Sequence, residues 1–172
     1  MDRQPAVASV AAVALKRLLQ IDTALVIPLT VELLKNPDAN VRMLAARALA
    51  TEPLKTSVAQ LGTVLNDPHP DVRRFACSAL FSYGSKADLK IAVRETATHT
   101  LDQQSWRGLE QAALLMGALN HKPSNLRLIK LLESPREEVR IASAWALRKL
   151  AVAATLPAML AHATQITKQL TP

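Results

Sequence analysis

The sequence predicts an all-α protein, a right-handed α-solenoid of stacked helix pairs. Three observations carry that prediction. Hydrophobic residues make up 49% of the 172, yet aromatics are only 3% and glycine numbers 4. Ala and Leu therefore supply the apolar content, and both favour helix. Few stretches alternate with period two, and there is no Asn-Gly hairpin signal. Finally, one turn-plus-helix string recurs along the chain: Asn36-Pro37-Asp38-Ala39-Asn40-Val41-Arg42, Asp67-Pro68-His69-Pro70-Asp71-Val72-Arg73 and Ser134-Pro135-Arg136-Glu137-Glu138-Val139-Arg140.

Taken in order, Gln4-Pro5 opens a first helix running to about Gln20, with Ala11, Ala14, Leu15, Leu18 and Leu19 on one face. Asp22 or Thr23 caps a second helix that reaches Lys35, with Pro28 either kinking it or marking its true first turn. Asp38 or Asn40 caps a third helix through Ala50. Residues 54–66 and 71–83 form the next pair around Asp67-Pro68-His69-Pro70, with Asp67 and Asp71 read as caps. Helices follow over 86–100 and 106–120, with a loop over 101–105 between them. Ser124 or Asn125 caps a helix through Glu133; a long helix covers about 136–153, and a last one about 156–170.

The period comes from aligning the second helix of each pair. Arg42, Arg73, Arg107 and Arg140 lie 31, 34 and 33 residues apart. Val41, Val72, Trp106 and Val139 precede them, and Ala48-Leu49, Ala79-Leu80, Ala113-Leu114 and Ala146-Leu147 follow in register. Two helices per 31–34 residues is the signature of a solenoid, in which each unit buries its apolar face against its neighbours. The predicted organisation is a single repeat domain over 1–172. Its units cover about 23–50, 54–83, 86–120 and 123–153, with half-units at 5–20 and 156–170. Those half-units are expected either to cap the stack or to mark a stretch of a longer one.

On these strings the chain resembles the HEAT-repeat proteins, and among them the short repeats of the phycocyanobilin-lyase-like kind. The resemblance covers roughly residues 23–153. It implies a ladder in which a turn Asp pairs with a second-helix Arg of the neighbouring repeat. All four arginines are present, but six residues before them stand Asn36, Asp67, Leu101 and Ser134, so only one place is acidic. The remaining arginines are expected to bond other groups of their turns. The third unit departs most: it has no proline turn, Trp106 replaces Val, and Glu110 stands where Ala45, Ala76 and Ser143 sit.

Composition and motifs narrow the chemistry. The formal net charge is +7, with no run of five basic residues. That balance favours an acidic partner or nucleic acid over a localisation tail. The single cysteine, Cys77, excludes an intramolecular disulfide and suits a reducing compartment, so the expected location is cytoplasmic. Residues 6–15 are too short to span a bilayer, and their flanks do not fit a signal peptide. His69, His99, His121 and His162 are scattered, and phosphate-loop, nucleophile-elbow and Cys-x-x-Cys motifs are absent. No cofactor, metal or catalytic residue is expected.

The expected function is a non-catalytic scaffold that binds a protein partner, acidic in character, on the concave surface lined by second helices. With the Ala-Leu positions taken as core, the outer stripe supplies Arg47, Arg74, Phe81, Gln111, Trp145 and Arg148 as partner-binding residues. The competing expectation for such a stripe is ordinary helix packing. Trp145 is read as an exposed anchor beside Arg148 and Lys149, against packing on the last helix; Trp106 is read as core. The alternative function is nucleic-acid binding, related to the alkylpurine DNA glycosylases built from HEAT-like repeats, with Asp102, Trp106, Glu110, Trp145 and Arg148 around a basic cleft. Aromatics too few to stack several bases speak against it.

Overall fold

The computed structural model describes residues 23–170, and before them Val10, Val13, Ala14, Arg17 and Leu18, which are helical. The rest of the expected 5–20 half-unit lies outside the described residues. From residue 23 the helices are α1 Thr23–Leu33, α2 Ala39–Leu49, α3 Lys55–Val64, α4 Pro70–Gly84, α5 Lys90–Asp102, α6 Trp106–Ala118, α7 Asn125–Leu131, α8 Glu137–Leu150 and α9 Leu156–Leu170. Short 3₁₀ turns, Lys122–Ser124 and Ala153–Thr155, lead into α7 and α9. No strand occurs among the described residues, and the fold is an all-α solenoid.

Two compact units are present, one ending at Thr96 and the other beginning at Ala97. In the first, α1 packs on α2 and α3 on α4, while the second helices α2 and α4 lie side by side. In the second, α7 packs on α8, and α6 lies along α8. The core positions follow the repeat register except in α6, where Leu115 and Met116 are fully buried and Leu114 only half-buried. Ala45, Leu49, Leu61, Leu65, Ala76 and Leu80 are fully buried in the first unit; Ala113, Leu115, Met116, Leu128, Val139 and Ala146 are fully buried in the second. Each buried Leu or Met contributes about 1.5–3 kcal/mol of transfer free energy. The small Ala positions let the second helices approach closely.

The turns are specified by a short polar residue followed by proline. Asn36 Oδ1 accepts from the Asp38 backbone N–H (2.9 Å), Asp67 Oδ1 from that of His69 (2.8 Å), and Ser134 Oγ from that of Arg136 (3.3 Å). Asp38 then caps α2, accepting from the Asn40 N–H at 2.8 Å. His69 caps α4 through Nδ1, with Pro70 in the first turn. Two expectations are corrected here. Asp67 serves the turn and an ion pair instead of capping α4. Ser124 makes no cap bond to α7, because its hydroxyl is engaged with His121 Nδ1 at 2.8 Å. The helix expected over 86–100 begins at Lys90 and runs to Asp102, two residues into the expected loop.

The repeated arginines close those turns. Arg42 donates to the Asn36 and Pro37 carbonyls (2.8 and 2.9 Å). Arg73 donates to those of Asp67 and Pro68 (3.3 and 3.2 Å), and Arg140 to those of Ser134 and Pro135 (2.9 and 3.3 Å). The acceptors lie just past the ends of α1, α3 and α7, where helix carbonyls lack intrahelical donors. Arg42 also makes a bidentate pair with Asp67, Nε to Oδ2 at 2.7 Å and Nη2 to Oδ1 at 2.9 Å, with both side chains under 10% exposed. This is the rung expected at the one acidic turn position.

Two glycines mark close approaches. Gly62 of α3 admits the Thr96 methyl of α5 where a side chain would stand. A Cβ on Gly117 of α6 would lie 2.7 Å from the Ala146 Cα and 2.8 Å from Trp145 Cζ3. Tyr83 of α4 is buried and donates its hydroxyl to the Leu49 carbonyl at the end of α2 (2.8 Å).

Three expectations follow for stability. Burial alone would raise the Asp67 carboxyl, but the Arg42 hydrogen bond, the His69 N–H and the Arg42 charge outweigh it and hold it below its ordinary 3.8. The pair therefore stabilises the fold fully above about pH 4 and loses that contribution as pH falls through the folded value. Asp67→Asn strands the Arg42 charge and should cost about 3 kcal/mol in urea unfolding at pH 7, a difference from wild type that narrows towards pH 2. Tyr83 is the chain's single tyrosine, so its titration can be followed directly by absorbance near 295 nm. Burial, with Glu52 nearby, pushes its phenol up to about 12. The native chain should show no phenolate at pH 10, where the unfolded chain is half ionised, and this contribution to stability fades as pH rises from about 10 towards 12. Gly117→Ala gains about 1 kcal/mol of helix propensity but meets backbone that cannot yield. A thermal melt should show Tm lower by about 3 °C or more.

Candidate functional site

The residues expected to bind a partner fall into two groups. In the first unit, Arg47 of α2 is exposed and its guanidinium lies 5.7 Å from the ring centroid of Phe75 on α4. Along α4, Arg74, Ser78 and Phe81 stand at helical spacing on one exposed face, with Phe81 44% exposed. Arg74 pairs with Asp71 one turn back in the same helix. Arg47 and Phe75 thus join α2 to α4. Cys77, on the same helix, is half-buried and forms no disulfide.

In the second unit the stripe divides. Arg148 and Lys149 are exposed in the last turn of α8, where cations complement the helix dipole. Trp145 is half-buried, its indole against Gly117 of α6, with Lys149 Nζ 5.7 Å from the ring centroid. Its packing partner is therefore α6, through the space that Gly117 leaves. Gln111 departs from expectation: it is only 3% exposed, and Gly108, Ala112 and Leu115 beside it are buried too. The cause is legible in α6, where Leu109, Ala113, Met116 and Gly117 are also buried. A helix covered on several sides has no open stripe to offer.

Trp106 also departs from expectation. It is half-buried where a core Val was anticipated, with the guanidinium groups of Arg136 at 4.3 Å and Arg107 at 5.0 Å from its ring centroid. Leu101 explains the arrangement. It stands where the other turns carry Asn36, Asp67 or Ser134, and its carbonyl accepts from Arg127 Nε of α7 at 2.9 Å. Sequence reasoning missed Arg107 and Arg136 as an aromatic-bound pair. The available signal was the lost proline turn with Trp at the Val position.

A surface cleft lined by Asp102, Pro123, Leu126, Arg127 and Lys130 contains none of Trp106, Glu110, Trp145 or Arg148. The residues weighed for base excision are thus not gathered there with Asp102. Another cleft, of about 460 Å³, lies over the first two turns and includes Arg42 and Asp67, both committed to each other. The histidines do local work: His69 caps α4, His121 bonds Ser124, and His99 Nε2 meets Gln103 at 3.1 Å. Among the described residues no group of three or more His, Cys, Asp or Glu could hold a metal ion, and no helix is long and apolar enough to cross a membrane.

Comparison with known proteins agrees with the repeat register. Residues 27–98 match the family model for HEAT repeats, and residues 127–152 match that for the armadillo/beta-catenin-like repeat. No curated protein matches the chain. The two matches span the proline turns at 36–38, 67–70 and 134–136 and the arginines that close them. With those turns, the side-by-side second helices and the Arg42–Asp67 rung in place, the chain carries HEAT repeats over residues 27–98 and an armadillo-type repeat over residues 127–152.

Proposed function

We propose that the chain is a non-catalytic, cytoplasmic interaction module, its helix pairs at 23–50, 54–83, 86–120 and 123–153 acting as repeats of one domain. It binds a protein partner on its second helices. HEAT and armadillo repeats commonly mediate protein–protein interaction. The observation that carries the reading is the Arg47–Phe75 contact, with Phe81, 44% exposed, further along the same helix. A guanidinium held over one ring, with an exposed ring further along the same helix, offers aromatic and cationic contact, the residue types that dominate interface energetics. Arg74 adds charge at one margin of this face. Trp145 and Arg148 provide a smaller contact on α8 of the second unit, with the indole already half committed to packing.

Nucleic-acid binding is the second reading, favoured by the net charge of +7. The two readings separate in one experiment. The purified chain is immobilised and a partner captured from nuclease-treated lysate is identified, purified and titrated against variants. Arg47→Ala with Phe81→Ala should weaken that partner about 30-fold or more, as loss of a hot spot does, with far-UV circular dichroism unchanged. Equal affinity for the double variant would remove this face from the reading. Retention on duplex DNA at low salt, lost steeply as salt rises and abolished by Arg47→Ala, Arg74→Ala and Arg148→Ala together, would transfer the function to nucleic acid.

A further inference from the structure

We infer that Arg107 and Arg136, gathered on Trp106, form a binding point for an acidic segment of a partner protein. The inference rests on reading the chain as an interaction module, and adds a second contact of defined chemistry in the unit that begins at Ala97.

The argument starts from what the repeat does with its arginines. At Arg42, Arg73 and Arg140 the guanidinium is turned back onto two carbonyls of its own turn. The third pair breaks this pattern. Leu101 holds the matching position, and its carbonyl accepts from Arg127 instead. Arg107 lies on Trp106 at 5.0 Å, and Arg136, from the turn before α8, reaches the same ring at 4.3 Å. One indole thus gathers two cations, one from its own helix and one from the turn before α8. The side chain of Arg136 is 48% exposed, and that of its carboxylate partner Glu138, 3.3 Å away, is 44% exposed. An exposed pair of this kind is readily exchanged for a better-placed anion. Arg107 makes no ion pair among the described residues.

Two like charges drawn to one ring repel each other, and an anion that engages both relieves that repulsion. Guanidinium forks match carboxylates in bidentate geometry, which fixes orientation as well as adding affinity. They match phosphates as well, but a nucleic-acid strand would also call for rings on which bases stack. Trp106 already carries two guanidinium groups, so it serves as their anchor and not as a stacking platform. The chemistry that fits is a protein segment rich in Glu or Asp.

The probe is a fluorescein-labelled peptide of about twelve residues with the repeat Glu-Glu-Leu, titrated by anisotropy into the full chain at about 50 mM salt. The expected result is saturable binding that weakens about tenfold or more in Arg107→Gln with Arg136→Gln, and stays within about twofold in Lys55→Gln, an exposed cation outside both proposed contacts. Arg136→Gln alone, an exposed change, should give an intermediate loss and keeps the test meaningful if the double variant folds poorly. In a Trp145→Phe chain, Trp106 is the one remaining indole, and its emission should change on titration with unlabelled peptide. The inference is overturned if the peptide does not bind, or if the folded double variant binds it equally well. Binding lost in Arg47→Gln but not in the double variant would also overturn it, while leaving the protein-interaction reading standing. Tighter binding of an oligothymidylate of equal charge, lost in the same double variant, would reassign the pair to phosphate.

Discussion

The structure depends on a guanidinium folded back onto the turn that precedes it. A helical hairpin joined by a tight turn leaves its first helix with unpaired terminal carbonyls. Water cannot serve them freely where neighbouring pairs stack. Arg42, Arg73 and Arg140 solve the same problem in the same way, each bonding the carbonyls six and five residues back. The spacing sets the geometry: a residue early in the second helix reaches back over the proline and fixes where that helix starts. With the start fixed, the Ala-Leu positions further along face the core of the stack.

Charge enters this scheme second. At the first proline turn the arginine also pairs with a carboxylate, and Arg42–Asp67 does so across 25 residues. It links two successive turns, whereas the carbonyl bonds act within one. A buried pair of this type contributes little net stability against a well-packed apolar substitute, yet losing one partner alone is expensive. Its effect is on register: Asp67 accepts simultaneously from His69 in its own turn and from Arg42 in the preceding pair, so the two hairpins meet in one alignment.

Much of this was legible because repetition multiplies weak signals. One Asn-Pro or Ser-Pro turn is an ordinary helix break; three in register with Val-Arg and Ala-Leu define hairpins. The turn position was read too narrowly, as a place for an acid. What Asn36, Asp67 and Ser134 share is a side-chain oxygen that accepts from the N–H two residues on, and Leu101 is the true exception. The exposed stripe was harder to read, because register places a residue on a face without saying what lies over that face. Arg47 and Phe81 stay open, while Gln111 sits on a helix buried around most of its circumference. Trp145 found its place against Gly117, a pairing between α6 and α8 that no local pattern announces.

Departure from a repeat carries information in proportion to the strictness of the repeat. Where every turn satisfies its own groups, a surface has little unspent hydrogen-bonding capacity with which to recognise anything. Here the Arg42 and Arg73 turns are nearly closed in that sense, their guanidinium groups buried and bonded. The third pair is different because one substitution, an aliphatic residue where an oxygen is needed, changes two arginines at once. Arg127 takes the carbonyl and Arg107 lies on an indole. A Trp at the Val position then becomes intelligible: a valine would give a guanidinium no aromatic face, whereas Trp holds two. The same substitution that weakens the local pattern concentrates cationic donors at one place, and a solenoid can tolerate that loss because its neighbours continue to carry the stack.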